Sequence, residues 1–455
     1  MKNPALEKLL STVDAQSHQK VKVAVTDIDG VLRGKYMHVN KFKSALEGGF
    51  GFCNVVFGWD IHDTCYENSK YSGWHTGYPD ASVQLDPSTI RQIPWESGLP
   101  LLLGSFVDDQ NRSLDVCPRS LLSKLCDRAA SLGFRPMFGT EFEWFNFRET
   151  PQSLADKNFS SPDPLTPGMF GYSMLRSSMN QSYFHDIMDG CEQYRVPLEG
   201  LHTETGPGVF EAALQVEQAL EQADRAVLFK SGVKEIAYQH DIIPSFMARW
   251  NDTMPGCSGH LHQSLWDKDG ERNLFYDAGE SGNMSQLFQS YLAGQLALLP
   301  EFLAMFAPTI NSYKRLVPGF WAPTRANWGI DNRTVALRVI PGGSKSCRLE
   351  TRVGGADMNP YLSIAAALAA GLYGIENKLS LKQDPIAGNG YESSEGTRFA
   401  STLAESSSLL RQSEYAREYF GEGFVEQFAN SRDWEWQKSQ ESVTDWELKR
   451  YFELV

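Results

Sequence analysis

Gly139-Thr140-Glu141-Phe142-Glu143-Trp144 sets two carboxylates two residues apart within an apolar run. Read as a strand, the stretch points Glu141 and Glu143 to one face and Phe142 and Trp144 to the other. Half-buried neighbouring carboxylates repel each other and lose hydration, and a divalent cation relieves both costs. A solvated strand face would need no cation, so the motif gains meaning only from its partners elsewhere in the chain.

Two further stretches supply such partners. In His202-Thr203-Glu204-Thr205-Gly206-Pro207-Gly208-Val209-Phe210-Glu211 a Gly-Pro-Gly turn folds the flanking segments together, so Glu204 and Glu211 can converge. In Pro255-Gly256-Cys257-Ser258-Gly259-His260-Leu261-His262-Gln263-Ser264 the two histidines share a strand face, behind a glycine-rich lead-in that permits close backbone approach to a ligand. An internally hydrogen-bonded histidine pair is the plain alternative. Carboxylate oxygens with imidazole suit Mg2+ or Mn2+.

The last third is rich in arginine: Asn311-Ser312-Tyr313-Lys314-Arg315, Asn332-Arg333 through Arg338, and Lys345-Ser346-Cys347-Arg348-Leu349-Glu350-Thr351-Arg352. Arg338 has Val335, Leu337 and Val339 for neighbours, and Glu350 and Arg352 share a strand face. Arginines on apolar strands point to a pocket holding an anion, because the planar, permanently charged guanidinium matches phosphate and carboxylate.

The elements that must position these groups can be read around them. A chain of 455 residues exceeds one small core and predicts two domains. Residues 1–20 read as a short helix and tether, followed by a strand over 21–28. From 50 to 107, short apolar runs punctuated by Gly, Pro, Asn and Asp predict a small β-rich domain, and the turn at 108–111 places the division at 1–112 and 113–455. Pro118 opens an amphipathic helix with Leu121, Leu122, Leu125, Cys126, Ala129 and Leu132 on one face and Gly133 as its stop. A loop over 150–172, helices over 182–194 and 212–240, a strand over 245–250, an Ala-rich helix from Pro360 to about 378 and a polar, largely helical tail complete the reading.

Composition excludes several functions. A net charge of -14 argues against a phosphate-backbone binder, so nucleic acid is not an expected partner. Seven scattered cysteines without CxxC spacing fit free thiols in a reducing compartment. The first ten residues lack an apolar core for a secretory signal, and the apolar stretches 291–310 and 361–375 read as buried helices, the first interrupted by Pro300 and Glu301. No membrane partner and a cytoplasmic location are expected. Asp27-Ile28-Asp29-Gly30-Val31-Leu32 after an apolar strand offers a different chemistry, that of haloacid-dehalogenase-type phosphatases with Asp27 as nucleophile and Asp29 as acid/base. The second acidic motif such chemistry needs is missing, and Asp29-Gly30 serves equally well as a hairpin turn.

Taken in order, the motifs ExE, E-x-x-P-G-x-x-E, HxHxS, NSYKR, NRxxxxR and KxxRxExR resemble those of the glutamine synthetase superfamily, over about residues 20 to 380. The resemblance implies an α+β architecture: a small N-terminal β-grasp domain and a larger catalytic domain whose antiparallel sheet forms a metal-containing funnel surrounded by helices. It implies Glu143, Glu204 and Glu211 as ligands of one Mg2+ or Mn2+ ion and Glu141, His260 and Glu350 as ligands of a second, with two or three ions per site. It further implies that Arg315 and Arg352 hold the acid substrate, with Gly256 and His260 beside it. Arg333, Arg338 and Arg348 would surround the ATP phosphates, Ser264 and Lys345 would contact the nucleotide, and Arg315, Arg333 and Glu143 would be the catalytic residues. The implied chemistry is phosphorylation of a carboxylate by ATP and displacement of phosphate by an amine. The implied assembly is a ring-shaped homo-oligomer, a dodecamer of two hexameric rings, with active sites shared between neighbours.

Departures from the family pattern bear on the substrate. Where glutamine synthetases carry a flap glutamate that binds and deprotonates ammonium, Val317-Pro318-Gly319-Phe320-Trp321-Ala322-Pro323 places Trp321, which cannot accept a proton. The ammonium-binding FDGSS segment is replaced by Phe57-Gly58-Trp59-Asp60-Ile61-His62, with Asp60 a shifted candidate. Indoles favour a larger apolar or cationic amine, so the chain resembles the γ-glutamyl-amine ligases of amine and polyamine breakdown. The asparagine of the family's NGSGMH is absent from Pro255-Gly256-Cys257-Ser258-Gly259-His260, which bears on whether the acid is glutamate. Residues 385–391 do not match the loop adenylylated in some bacterial relatives, so no such switch is expected. Ordinary glutamine synthesis and a catalytically silent structural relative are the competing readings.

Overall fold

The structure is a computed structural model and describes Val13 and residues 19–455. The expected N-terminal helix and tether fall almost entirely outside the described residues.

Strands β1 (Lys20–Thr26), β2 (Leu32–His38), β3 (Phe50–Cys53), β4 (Asp80–Leu85), β5 (Arg91–Ile93) and β6 (Leu99–Val107) form one sheet in the order β2-β1-β6-β4-β3, with β5 also on β6. Only the β1 to β6 pairing is parallel. Alternation explains why β6 reads as a continuous apolar run. Leu102 and Phe106 enter a small core with Val21, Val23, Phe42 and Phe57, while Leu101 and Leu103 enter the main core with Ala24 and Ile28. A sheet covered on both faces has no solvated side to encode.

The turn after β1 resolves the Asp27/Asp29 ambiguity in favour of structure. Asp27 is 2% exposed; its Oδ1 accepts from the Asp29 and Val31 amides at 3.0 and 2.9 Å, and its Oδ2 accepts from Arg33 Nε at 2.8 Å. Asp29 pairs with Arg432 at 2.5 Å. Both carboxylates are engaged inside the protein, so neither can serve as a phosphatase nucleophile or acid.

The second sheet carries the clustered motifs. It comprises β7 (Phe134–Phe147), β8 (Leu198–Thr203), β9 (Val209–Leu214), β10 (Glu217–Gln218), β11 (Ile243–Ser245), β12 (Gly259–Asp267), β14 (Trp328–Ile330), β15 (Leu337–Ile340) and β16 (Arg348–Thr351), while β13 (Arg325–Ala326) pairs separately with β17 (Thr397–Arg398). The main order is β14-β15-β16-β12-β7-β9-β8, antiparallel except between β14 and β15. Two expected elements shift: residues 209–214 are strand, so the long helix begins at Ala219, and the strand expected over 245–250 ends at Ser245.

Helices Pro118–Ser131, Ala219–Tyr238, Gln286–Phe306 and Pro360–Glu376 back this sheet. Leu121, Leu122, Leu125 and Ala129 of the first are buried as expected, whereas Leu132 follows the helix and is 40% exposed. The last two helices are the apolar stretches noted in the sequence. Pro300 lies inside Gln286–Phe306 without ending it, and a Cβ at Gly294 would meet the Ala370 carbonyl at 2.1 Å, so the two helices approach backbone to backbone. No helix among the described residues is long and apolar enough to cross a membrane. All seven cysteines are free.

Candidate metal and nucleotide site

Register brings the separated motifs onto one face. Glu143 on β7 stands opposite Glu211 on β9, which stands opposite His202 on β8. On the other side of β7, Glu141 stands opposite His260 on β12; His262 stands opposite Glu350 on β16, and Glu350 opposite Arg338 on β15. Directly paired residues point to the same side of a sheet, so six strands contribute to one polar face. The opposite face of β7 is apolar, with Phe142 and Trp144 fully buried in the main core.

Two ligand clusters form on this face. Donor atoms of Glu141, His262 and Glu350 lie within 4.8 Å of one another, and so do those of His202, Glu204 and Glu211. The ligand sets expected from the motifs were Glu141, His260, Glu350 and Glu143, Glu204, Glu211. His262 Nε2 approaches Glu141 Oε1 at 2.9 Å, whereas His260 Nδ1 lies 3.4 Å from both Glu141 Oε2 and Glu350 Oε1. Glu143 stands directly across from Glu211, its Oε2 accepting from the Ser258 amide at 2.7 Å. His202 joins the second cluster from β8, two residues before Glu204, a spacing visible in the sequence.

Electrostatics follow from this crowding. Burial and the charges of Glu143, Glu141 and Glu204 push the Glu211 carboxyl up to about 10. Burial also pushes Glu143 up, against the Ser258 amide, which favours its ionised form. Burial opposes ionisation of Glu350 as well, but Arg352 and the two histidines hold it at about 2. Burial and Arg352 bring His260 down to about 4, leaving the neutral imidazole that a metal ligand requires.

The arginines divide into two groups. Arg315 is buried: Nη1 donates to the Val353 carbonyl at 3.0 Å and Nη2 to Ser258 Oγ at 2.9 Å. Gly256 makes room for it, since a Cβ there would meet Arg315 Cγ at 2.8 Å; the glycine admits this side chain rather than a ligand. Arg352 pairs with Glu350, and Arg338 bridges Glu350 at 2.9 Å and Asp331. Arg348 Nε reaches His262 Nδ1 at 3.1 Å, while Arg333 is exposed on the loop before β15. A cavity of about 250 Å³ beside the clusters is lined by Glu199, His262, Ser264, Trp266, Lys345 and Arg348, which unites Ser264, Lys345 and Arg348 as the motifs predict.

Two expected substrate residues lie outside this arrangement. Asp60 is not brought to it within the chain: Oδ1 accepts from the His62 and Thr64 amides at 2.9 Å, and Oδ2 from Trp434 Nε1 at 3.0 Å. Its carboxylate is spent on its own turn and on a C-terminal helix. Trp321 occupies a loop with left-handed backbone, φ 59°, and is 57% exposed.

The family profile described as glutamine synthetase, catalytic domain, matches residues 115–451. The chain belongs to the glutamine synthetase family. It is 51% identical over 454 residues to the type-1 glutamine synthetase 2 of Dictyostelium discoideum, covering 99% of this chain and 87% of that one. It is 37% identical over 452 residues to the glutamate--isopropylamine ligase of a Pseudomonas species, covering 98% of each. The gamma-glutamylputrescine synthetase PuuA of Escherichia coli is 33% identical, covering 95% of this chain and 91% of that one. A solved structure described as a GmaS/ADP complex superposes with a TM-score of 0.85 at 27% identity, over 98% of this chain and 99% of that one.

Ligases of the glutamine synthetase family use ATP and divalent metal ions, and the residues here fit such ions. The donors are carboxylates with imidazole, the set suited to Mg2+ or Mn2+. His260 Nε2 and Glu204 Oε2 are buried without a hydrogen-bond partner among the described residues, which leaves them free to coordinate.

Proposed function

We propose that the protein is an ATP-dependent ligase that joins the γ-carboxylate of glutamate to an organic amine. The observation that carries this reading is Trp321, standing where the family's ammonium-using members carry a flap glutamate. An indole cannot take a proton from ammonium, but its face receives alkyl groups and cations. The amine-ligase relatives support the same reading. Ordinary glutamine synthesis is the second reading, favoured by the 51% identity to the type-1 glutamine synthetase 2 of Dictyostelium discoideum.

In the proposed mechanism Arg315 and Arg352 orient the acid, and Ser264, Lys345 and Arg348 hold the nucleotide. The γ-carboxylate oxygen attacks the γ-phosphorus of ATP, ADP leaves, and γ-glutamyl phosphate forms. Arg333 and Arg338 offset charge on the phosphoryl group in flight. The neutral amine then attacks the acyl carbon, inorganic phosphate leaves, and the amide nitrogen gives up a proton. Glu143, Glu204 and Glu211, with Glu141, His260 and Glu350, would hold the divalent ions, which would supply positive charge against the phosphates when bound. The proposal includes a β-grasp N-terminal domain over 1–112, a cytoplasmic location, a role in amine or polyamine catabolism, and a dodecamer of two hexameric rings.

Phosphate release tests the reading. With ATP, Mg2+ and glutamate, isopropylamine, ethanolamine or putrescine should drive faster release than ammonium. Equal or faster release with ammonium would establish ordinary glutamine synthesis, and no release with any acceptor would mark a silent relative.

A further inference from the structure

Arg315 is held from behind by a set of groups that cannot touch substrate. It closes the short helix Ser312–Arg315, whose entry turn is locked by reciprocal bonds: the Thr309 amide donates to Ser312 Oγ at 3.0 Å and the Ser312 amide to Thr309 Oγ1 at 3.1 Å. Both hydroxyls then converge on Asp357 Oδ2, at 2.8 and 2.6 Å. The other carboxylate oxygen, Oδ1, is buried without a hydrogen-bond partner among the described residues. It packs so closely on Gly355 that a Cβ there would sit 2.4 Å away. A carboxylate so enclosed needs a nearby cation to stay ionised.

Burial pushes the Asp357 carboxyl up, opposed by the charges of Arg315 and, from the helix beneath, Lys230. Lys230 rises from helix Ala219–Tyr238 beneath the sheet, and its Nζ donates to the Met358 carbonyl, adjacent to Asp357, at 3.1 Å. The ammonium lies 5.7 Å from the Phe142 ring centroid and 5.6 Å from that of Phe246. Phe142 belongs to the apolar face of β7, so Lys230 stands on the far side of the strand from Glu141 and Glu143. Charges of alternating sign run from the helix to the site: Lys230, Asp357, Arg315 and Glu143. Each of the inner two is favoured in its ionised form by both of its neighbours.

We propose that Lys230 and Asp357 are positioning residues for Arg315: Lys230 anchors the backbone beside Asp357, Asp357 fixes the 309–312 turn, and the turn aims the guanidinium that holds the acid substrate. The inference rests on the reading of Arg315 given above. It assigns a task to two charged residues that neither the ligand clusters nor the nucleotide cavity uses.

The test is calorimetric titration of L-glutamate into the full-length protein loaded with Mn2+ and ADP, with ADP affinity measured in parallel. Lys230→Met and Asp357→Asn should each weaken glutamate binding about tenfold and leave ADP affinity unchanged, while Lys230→Arg, which retains the charge, should bind glutamate within about twofold of the parent. Should Lys230→Met fail to fold, Ser312→Ala removes one hydroxyl from Asp357 while leaving both charges, and should weaken glutamate binding about threefold. Unchanged glutamate affinity in folded variants, or an equal loss of ADP affinity, would overturn the proposal. Arg315→Lys separates the two readings. If it weakens glutamate binding while the Lys230 and Asp357 variants do not, the positioning role fails; if it leaves glutamate binding untouched, the assignment of Arg315 to the acid fails.

Discussion

His262 Nε2 lies 2.9 Å from Glu141 Oε1, although strand register pairs Glu141 with His260. Position 139, directly opposite His262, is a glycine, so no side chain stands across from this imidazole on β7. Two imidazoles therefore reach one carboxylate, one from directly across and one from the diagonal.

The first prediction concerns this pair. His262→Gln should weaken Mn2+ binding about tenfold, the usual cost of losing a group that orients or supplements a ligand. Titration of Mn2+ followed by electron paramagnetic resonance would read it, and an unchanged dissociation constant would remove His262 from the cation's surroundings.

Glu143→Ala should abolish glutamate-dependent phosphate release while preserving the circular dichroism spectrum and melting temperature. The carboxyl is pushed up by burial and by Glu204, so deleting it relieves repulsion and should not destabilise the metal-free protein. Retained turnover would place the residue outside the reaction.

Trp321→Glu should raise kcat/KM for ammonium and lower it for isopropylamine, each by about tenfold or more, because it restores a proton acceptor and removes an apolar face. Acceptor kinetics unaltered for both amines would mean that the 317–323 loop does not meet the acceptor.

Lys230 predicts a pH dependence. Burial and Lys234 lower its ammonium to about 7, with Asp357 opposing them; the Phe142 and Phe246 rings and the Met358 carbonyl complete its surroundings. Its charge is present below that value and lost above it, so glutamate affinity should fall as pH rises through about 7 in the parent and stay level in Lys230→Arg. Stability moves the other way. Between about 7 and 10.5 the unfolded chain carries a proton that the folded one has released, so this residue's contribution to stability increases with pH. Glutamate titrations at stepped pH, with parallel denaturant melts, would separate the two trends.

Arg432→Met should destabilise the protein by about 3–5 kcal/mol, since it leaves Asp29 buried without its partner. Guanidinium denaturation would measure this, and a loss below about 1 kcal/mol would show that the pair adds little beyond its own desolvation cost.

Much of the site was legible because strand alternation is a local rule. Glu141 and Glu143 on one face of β7, the apolar residues on the other, and the strand placement of Arg338 and Glu350 all follow from period two. What alternation could not supply was diagonal reach: the contact of His262 with Glu141, beside that of His260, crosses the strand register. Within one chain Asp60 lies away from the clusters: its carboxylate accepts from Trp434, far away in sequence, and nothing local announces that bond. The Ala212–Leu214 segment read as helix because alanine favours helices, but pairing with β7 outweighed that preference.

Asp29 and Arg432 stand 403 positions apart. During synthesis the first hairpin leaves the ribosome long before its guanidinium partner has been translated. The early sheet can therefore form its strands, but it must wait with an unpartnered acid at its turn until nearly the whole chain has emerged. A chain cut short before residue 432 would lack the guanidinium that pairs with this acid.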